Sequence, residues 1–284
     1  MTRLPRSPSA VIDEAGRLDQ WLVLHGLAAT RREAQSAIMA GLVLVDGRVA
    51  DKPGRRITPQ MTVEVHRREE PYASRGGVKL AHALRTFGID VRGKVTVDLG
   101  ASTGGFTDCL LRAGAARVYA VDVGRGQLSW RLRTDPRVVC LEGTNARYLT
   151  PEQVGAACGL VTADLAFISL RLVWRPIAAL LAPGGCAVAL IKPQFEAGRE
   201  HVRRGGVVRD PGVHREVLRT VLETALAAGL GPVGVVPSPI LGPAGNVEFL
   251  AHLVRGADAV LPDAALDAAV AEAHARVAGR GRRA

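Results

Sequence analysis

Glycines occupy a turn between a predicted strand and a predicted helix near the middle of the chain. The run VTVDLG continues into ASTGGF and then TDCLLRAGA, which places Gly100, Gly104 and Gly105 in the turn. Glycine lets a backbone approach a ligand closely, and the first N–H groups of a helix have no partner within that helix. The turn therefore suits a nucleotide-like ligand, although a purely structural turn would also use glycine.

A carboxylate follows the next predicted strand. RVYAVD ends at Asp122, where a carboxylate can accept hydrogen bonds from both ribose hydroxyls of an adenosine cofactor. A dinucleotide fingerprint reads GxGxxG, whereas this chain reads DLGASTGGF. The difference favours S-adenosylmethionine over NAD.

An alternation of strands and helices has to position this turn. After the amphipathic helix KLAHALRTFGI, apolar runs such as RVYAVDVG, GLVTADLAF and GCAVALIKP alternate with helical stretches. The pattern predicts an α/β fold, with a doubly wound, Rossmann-like sheet. The last two runs, PVGVVPSP and VEFLAHLV, have no helical pattern between them, so we expect an antiparallel strand at one edge of the sheet.

A small α+β domain is predicted ahead of the sheet. RLDQWLVLH and RREAQSAIMA predict two short helices, the second capped by Thr30, and LVLVDGRV predicts a hairpin around an Asp-Gly turn, with ITPQMTVEV as a later strand. Residues 1–13 are polar and contain proline, and we expect a loose leader there. The motifs RLDxxL, TRREA and AGxVxVDG resemble, in order and spacing, the S4 RNA-binding domain.

Basic residues on this domain point to RNA. The chain has 37 Lys and Arg against 27 Asp and Glu, a formal net charge of +10, which favours a polyanionic partner. We predict that a compact basic surface on the S4-like domain binds RNA phosphates. Its residues are Arg17, Arg31, Arg32, Arg48 and Lys52.

Composition and patterning exclude several other classes. The chain has 284 residues, 48% hydrophobic and 23% charged, which is typical of a folded protein of about two domains. It has no apolar run long enough for a membrane span and no apolar segment typical of a secretory signal, so we expect a cytoplasmic protein that uses no membrane. The four cysteines are far apart, which predicts buried thiols and no metal site.

The rest of the chain carries a more specific resemblance. DLGASTGGFTD is similar to the first motif of FtsJ-type S-adenosylmethionine-dependent methyltransferases. VDVGxGQL, GTNAR, ADLAFISL, IKPQFEAG and GPAGNVEFL follow in the order found in the TlyA-type, or haemolysin A, family of ribosomal RNA 2′-O-methyltransferases. The resemblance implies an S4-like domain over residues 14–66, a linker over 67–75, an FtsJ-like methyltransferase domain over 76–256, and a helical, basic tail over 257–284. It also implies ribosomal RNA or ribosomal subunits as partners, with cytidine as the target.

The same resemblance implies a catalytic tetrad. The family's Lys-Asp-Lys-Glu set matches Lys79, Asp164, Lys192 and Glu248. Lys192 is the expected base for the ribose hydroxyl, and a lysine can act so only if its pKa falls from about 10.4 toward about 7–8. The cation of Lys79 would lower that pKa and the carboxylate of Asp164 would raise it, so the two effects oppose each other. Glu248 would orient Lys79 or the ribose.

Cofactor contacts are implied along the matched motifs. Phe167 is a further candidate beside the cofactor, although a core position is also open to it. Asn145 could contact the adenine or simply form a turn. A Gly-rich loop with His201, Arg203, Arg204 and Arg209 could close over RNA, and the basic end RVAGRGRRA is expected to be frayed. The expected cofactor residues are Asp98, Gly100, Ala101, Ser102, Gly104, Gly105, Phe106, Asp122, Val123, Asn145 and Asp164.

Three alternatives compete with this interpretation. A pseudouridine synthase fused to an S4 domain needs no cofactor and leaves DLGASTGGF unexplained. A non-catalytic RNA-binding or ribosome-assembly factor has no need of the intact tetrad. A membrane-lytic haemolysin needs an amphipathic or apolar segment that can leave the core, whereas the apolar runs here are typical of sheet strands.

Overall fold

A computed structural model describes residues 9–28, 30–39, 41–65, 71–202 and 205–281. Its contacts divide the chain into two compact units, residues 1–70 and 71–284. The division falls within the predicted linker.

The first unit is a small α+β domain. Strands β1, β6, β3 and β4 form an antiparallel sheet in that order, and β2 pairs with β5. Its elements are β1 (Ser9–Val11), β2 (Gly16–Arg17), α1 (Leu18–Leu24), α2 (Arg31–Met39), β3 (Val43–Val45), β4 (Arg48–Val49), β5 (Arg56–Ile57) and β6 (Thr62–Val65).

Local sequence signals account for most of this unit. The two predicted helices and the hairpin are confirmed, and the Thr30 Oγ1 accepts a hydrogen bond from the backbone N–H of Glu33 at 3.2 Å. Asp46 and Gly47 both have positive φ, as a tight hairpin turn requires. The prediction of a loose leader over residues 1–13 is wrong for residues 9–13, because β1 pairs with β6 and Ile12 is buried in the core. Residues 1–8 lie outside the described residues.

The second unit contains the predicted doubly wound sheet. The order of its strands is β12-β13-β11-β10-β7-β8-β9. Its elements are α3 (Gly76–Phe87), β7 (Val95–Leu99), α4 (Gly105–Arg112), β8 (Arg117–Asp122), α5 (Trp130–Arg133), β9 (Val138–Glu142), α6 (Pro151–Val154), β10 (Cys158–Ala163), α7 (Trp174–Leu180), β11 (Leu181–Ile191), α8 (Pro193–Glu196), α9 (Pro211–Leu226), β12 (Leu230–Pro237), β13 (Phe249–Arg255) and α10 (Asp263–Gly281), with short 3₁₀ turns at Ala146–Tyr148, Leu170–Leu172 and Arg199–His201.

The antiparallel strand lies inside this sheet rather than at its edge. β13 runs antiparallel to both of its neighbours, β11 and β12, and β12 forms the edge. The expectation of an antiparallel edge strand was therefore wrong. After β11 the chain passes through α9 and forms the outermost strand, β12. It then returns as β13 between β11 and β12, so that the first residue of β13 lies beside the last residue of β11.

Two apolar clusters lie on opposite faces of the sheet. One packs α3 and α4 against strand residues such as Leu160, and the other packs α7, α9 and α10 against residues such as Val161. The predicted fraying is wrong for residues 276–281, which lie in α10, a helix that buries Leu266 and Val270. Residues 282–284 lie outside the described residues.

Two remaining expectations concern cysteines and membranes. All four cysteines are free thiols, three of them buried, as predicted. Within the described ranges, every helix is too short or too polar to cross a bilayer.

The fully buried Leu160 on β10 tests the packing of the sheet. We expect Leu160→Ala to lower the free energy of unfolding by about 2–5 kcal/mol, since it leaves a cavity between β10 and the helices on its face. The matched change Leu172→Ala removes an exposed side chain and should cost less than about 1 kcal/mol. Equal losses in denaturant melts would contradict this assignment of the core.

Candidate active site

Two neighbouring parallel strands are each followed by a charged residue at their carboxyl ends. β10 is followed by Asp164 and β11 by Lys192, and the strands pair in parallel. Lys192 Nζ lies 2.5 Å from Asp164 Oδ1, so the two side chains form an ion pair. The carboxyl ends of such strands are where ligands bind in doubly wound sheets.

A second lysine–carboxylate pair lies beside the first. Glu248 immediately precedes β13, whose first residue, Phe249, is paired with Ile191 at the end of β11. Lys79, on α3, places its Nζ 2.5 Å from Glu248 Oε2. Burial raises the pKa of Glu248, and the positive charges of Lys79 and Lys192 oppose that rise.

The two pairs differ in their access to solvent. The side chains of Lys79 and Glu248 are 8% and 1% exposed, and those of Lys192 and Asp164 are 13% and 21% exposed. All four line one cavity of about 340 Å³. The pair of Lys192 and Asp164 is therefore more accessible to solvent than the nearly buried pair of Lys79 and Glu248. The catalytic roles of these residues remain predictions.

The glycine turn forms another wall of this cavity, and its glycines have close protein neighbours. Gly100 and Gly104 have positive φ, and a Cβ on Gly100 would lie 2.4 Å from the Asp164 carbonyl oxygen. A Cβ on Gly105 would lie 2.1 Å from Ser74 Oγ. The structural requirement for glycine is thus real, because a side chain here would push away the residues that form the cavity.

Asp122 supports the turn from the end of β8. Its Oδ2 accepts a hydrogen bond from the Ser102 N–H at 2.8 Å, and its Oδ1 accepts one from the Gly124 N–H at 2.7 Å. Ser102 has a positive φ, which this bond helps to hold. Asp122 does not line the cavity in this conformation, and ribose binding by its carboxylate stays a prediction.

Asp98 has a different position from the one expected of a cofactor ligand. It is fully buried, and its two oxygens accept hydrogen bonds from the hydroxyls of Thr107, at 2.7 Å, and Thr162, at 3.1 Å. Burial raises its pKa to about 7, and these hydrogen bonds act against the rise. These bonds join β7, α4 and β10, and Asp98 is not among the residues that line the cavity, so its contact with a cofactor stays a prediction.

The other predicted cofactor residues fall into two groups. Asn145 and Val123 are exposed and away from the cavity lining, and the Asn145 Oδ1 accepts a hydrogen bond from the Arg147 N–H at 3.0 Å, as a turn-forming residue does. Phe167 is also exposed and lies 5.2 Å from Phe195, measured between ring centroids. The predicted cofactor residues that line the cavity are Gly100, Ala101, Ser102, Gly105, Phe106 and Asp164, whereas Gly104 is not part of the lining.

Several lining residues were missed in the sequence. Ser74 and Arg75 lie directly before α3 and Gly76 is its first residue, and this segment is held where the Ala73 N–H donates to Asp108 Oδ2 at 2.9 Å. Their place in SRGGVKL, the run that contains Lys79, was the available signal. The remaining lining residues that were missed are Thr103, Ile240, Leu241 and Pro243.

The predicted RNA-binding residues are all exposed on the first unit. Arg17 and Arg31 both form hydrogen bonds to the buried carboxylate of Asp19, a residue that is not among the predicted RNA-binding residues. Arg32, Arg48 and Lys52 complete the set.

The Gly-rich loop of the second unit is described in part. His201 and Arg209 are exposed, and the Nε2 of His201 lies 3.6 Å from the Oε1 of Glu200. Arg203 and Arg204 lie outside the described residues. Within the part of the chain that the structure covers, no cluster of His, Cys, Asp and Glu could hold a metal ion.

Comparisons with known families agree with the two units. Residues 72–255 match the FtsJ-like methyltransferase family, and residues 16–63 match the S4 domain.

Individual relatives extend over most of the chain. A candidate rRNA methyltransferase of Bacillus subtilis, YqxC, is 49% identical over 84% of this chain and 85% of its own. The 16S/23S rRNA (cytidine-2′-O)-methyltransferase TlyA of Mycobacterium tuberculosis is 47% identical over 89% of this chain and 95% of its own. A solved structure of a candidate haemolysin from Streptococcus thermophilus is 41% identical, with a TM-score of 0.77, and covers 95% of this chain and 100% of its own.

The raised pKa of the buried Asp98 predicts a pH-dependent effect on the stability of the fold. Because its pKa is raised to about 7, the folded protein holds a proton there more tightly than the unfolded chain. The tighter binding of this proton stabilises the folded protein at low pH, and this contribution to the free energy of unfolding is lost as the pH rises toward about 7. We therefore expect the melting temperature of Asp98→Asn, relative to wild type, to increase between pH 5 and pH 8.

The exposed Asp90 is the control for this titration. Hydrogen bonds from the Arg92 side chain lower the pKa of Asp90 to about 2, so Asp90→Asn should shift the melting temperature equally at both pH values. A melting difference for Asp98→Asn that is also independent of pH would show that Asp98 does not titrate in this range.

Proposed function

Since the chain belongs to the FtsJ-like methyltransferase family, we propose that it transfers a methyl group from S-adenosylmethionine to a ribose 2′-hydroxyl in ribosomal RNA, with cytidine as the modified nucleoside. The observation that carries this proposal is the cluster of Lys79, Asp164, Lys192 and Glu248 in one cavity. A ribosomal substrate puts the proposed activity in the cytoplasm.

The cavity suits this cofactor. The backbone of Gly100, Ala101 and Ser102 lines it without large side chains, and α4 begins there with its first N–H groups. The carboxylate of Asp164 faces the same space and would complement a positive charge. S-adenosylmethionine, when bound, would supply an electrophilic methyl group on a sulfonium.

The lysines and carboxylates supply what a ribose hydroxyl requires. A 2′-hydroxyl is a poor nucleophile, so a base has to accept its proton as the hydroxyl oxygen attacks the methyl group. In its neutral amine form, Lys192 would accept that proton at Nζ and become an ammonium, and the contact with the Asp164 carboxylate would hold the amine in place. The pairing of Lys79 with Glu248 supports the expectation that Glu248 orients Lys79 rather than the ribose.

The RNA part of the proposal is supported by the first unit. Its match to the S4 domain and its exposed arginines favour binding to RNA phosphates. The names of relatives that cover most of this chain point to ribosomal RNA, and that of the M. tuberculosis protein to cytidine.

Replacement of the Lys192 amine tests the function and the base together. We expect Lys192→Met to slow methyl transfer to unmodified ribosomal subunits by about 10²–10⁴-fold, because the methionine side chain cannot accept the hydroxyl proton. Transfer is measured with radiolabelled S-adenosylmethionine, and cofactor binding by calorimetry should change by less than about threefold.

A matched lysine change serves as the control. Lys94 directly precedes β7, packs against Gly159 and is not among the residues that line the cavity, so Lys94→Met should retain the wild-type rate. Normal transfer by Lys192→Met would remove Lys192 as the base. Binding of the cofactor by wild type without any transfer to either subunit would contradict the proposed function.

A further inference from the structure

One buried carboxylate organises the basic surface of the first unit. Asp19, on α1, is fully buried, yet two exposed arginines and a glutamine point their donors at it. Arg17 donates through Nε to Oδ1 at 3.0 Å and through Nη2 to Oδ2 at 3.1 Å. Arg31 donates through Nε to Oδ2 at 3.1 Å, and Gln35 donates through Nε2 to the same oxygen at 3.0 Å.

These bonds fix the arginines without burying them. The side chains of Arg17 and Arg31 remain 46% and 53% exposed. Each guanidinium has five N–H donors, and the bonds to Asp19 use two on Arg17 and one on Arg31. Most donors of both groups are therefore not used by Asp19, while the position of each side chain is restricted.

The carboxylate stays charged in this arrangement. Hydrogen bonds from Arg17 hold the pKa of Asp19 well below its usual range, with further contributions from Gln35 and Arg31. A permanent negative charge beside a phosphate-binding surface repels the ligand at long range. Such a charge favours binding only if the geometry that it imposes on the cations outweighs this repulsion.

We propose that Asp19 is a positioning residue that holds the guanidiniums of Arg17 and Arg31 as a preformed clamp for RNA phosphates. Arginine suits this task because its planar fork can bind a carboxylate on one edge and a phosphate on another. The inference rests on the proposed RNA-binding function, and it adds a residue whose own charge is opposite to that expected at such a surface.

The sign of a charge change tests this proposal. Asp19→Asn makes the protein more positive, so attraction of charges alone predicts tighter binding to transcribed ribosomal RNA. The clamp predicts the reverse, with a Kd about 5- to 20-fold higher and a salt slope smaller in magnitude by about 1 to 2. In methyl-transfer kinetics, KM for RNA should rise while kcat stays unchanged.

Asp51→Asn is the charge-matched control. Asp51 is exposed on the same unit, next to Lys52, and its replacement should leave RNA binding equal or slightly tighter. Binding by Asp19→Asn that is as tight as that of the control would overturn the clamp.

A second variant guards against misfolding of Asp19→Asn. The double change Arg17→Lys with Arg31→Lys keeps both charges and removes both forks, so we expect a Kd raised by about 5-fold or more. Wild-type affinity in this variant would also overturn the clamp. If the wild-type protein bound no RNA, the proposed function itself would fail, whereas tight wild-type binding with unaffected variants would refute the clamp alone.

Discussion

Lys79 and Lys192 line one cavity, and each is in direct contact with a carboxylate of the same cavity. A buried unpaired charge is costly, so each lysine needs its own carboxylate within direct contact. Asp164 and Lys192 meet because β10 and β11 are parallel neighbours that end together. Glu248 reaches Lys79 only because β13 runs back between β11 and β12, which places its first residue beside the end of β11. The antiparallel strand is therefore a requirement of the site as much as of the sheet.

Two carboxylates that do not line the cavity hold residues near it in place. Asp98 joins three elements through threonine hydroxyls, and Asp122 holds the turn through backbone N–H groups. On the first unit, Asp19 acts in the same way on arginines. In each case a carboxylate is used to set the geometry of other groups, which leaves exposed backbone and side chains free to meet a ligand.

The sequence was most informative where structure is local. Helix periodicity, the Thr30 cap and the Asp-Gly turn were readable because each depends on residues close together in the chain, and the resemblance to known motifs identified Lys79 and Glu248, which no local pattern would have joined. Partners distant in sequence were harder to predict. β1 has three residues, which is too few to show the alternation of apolar and polar residues typical of a strand. It is a strand because it pairs with β6. The directions of the Asp98 and Asn145 side chains likewise depend on which neighbours the fold brings to them.

We propose that the lysine–carboxylate cluster directs a methyl group to a ribose oxygen and not to a base. Mass spectrometry of nucleosides, after wild-type enzyme has acted on unmodified ribosomal subunits with isotopically labelled S-adenosylmethionine, tests it directly. We expect labelled 2′-O-methylcytidine, in which the fragment that carries the methyl group is the ribose. Label confined to base fragments would contradict it, because base methylation does not need a lysine to take a proton from a ribose hydroxyl.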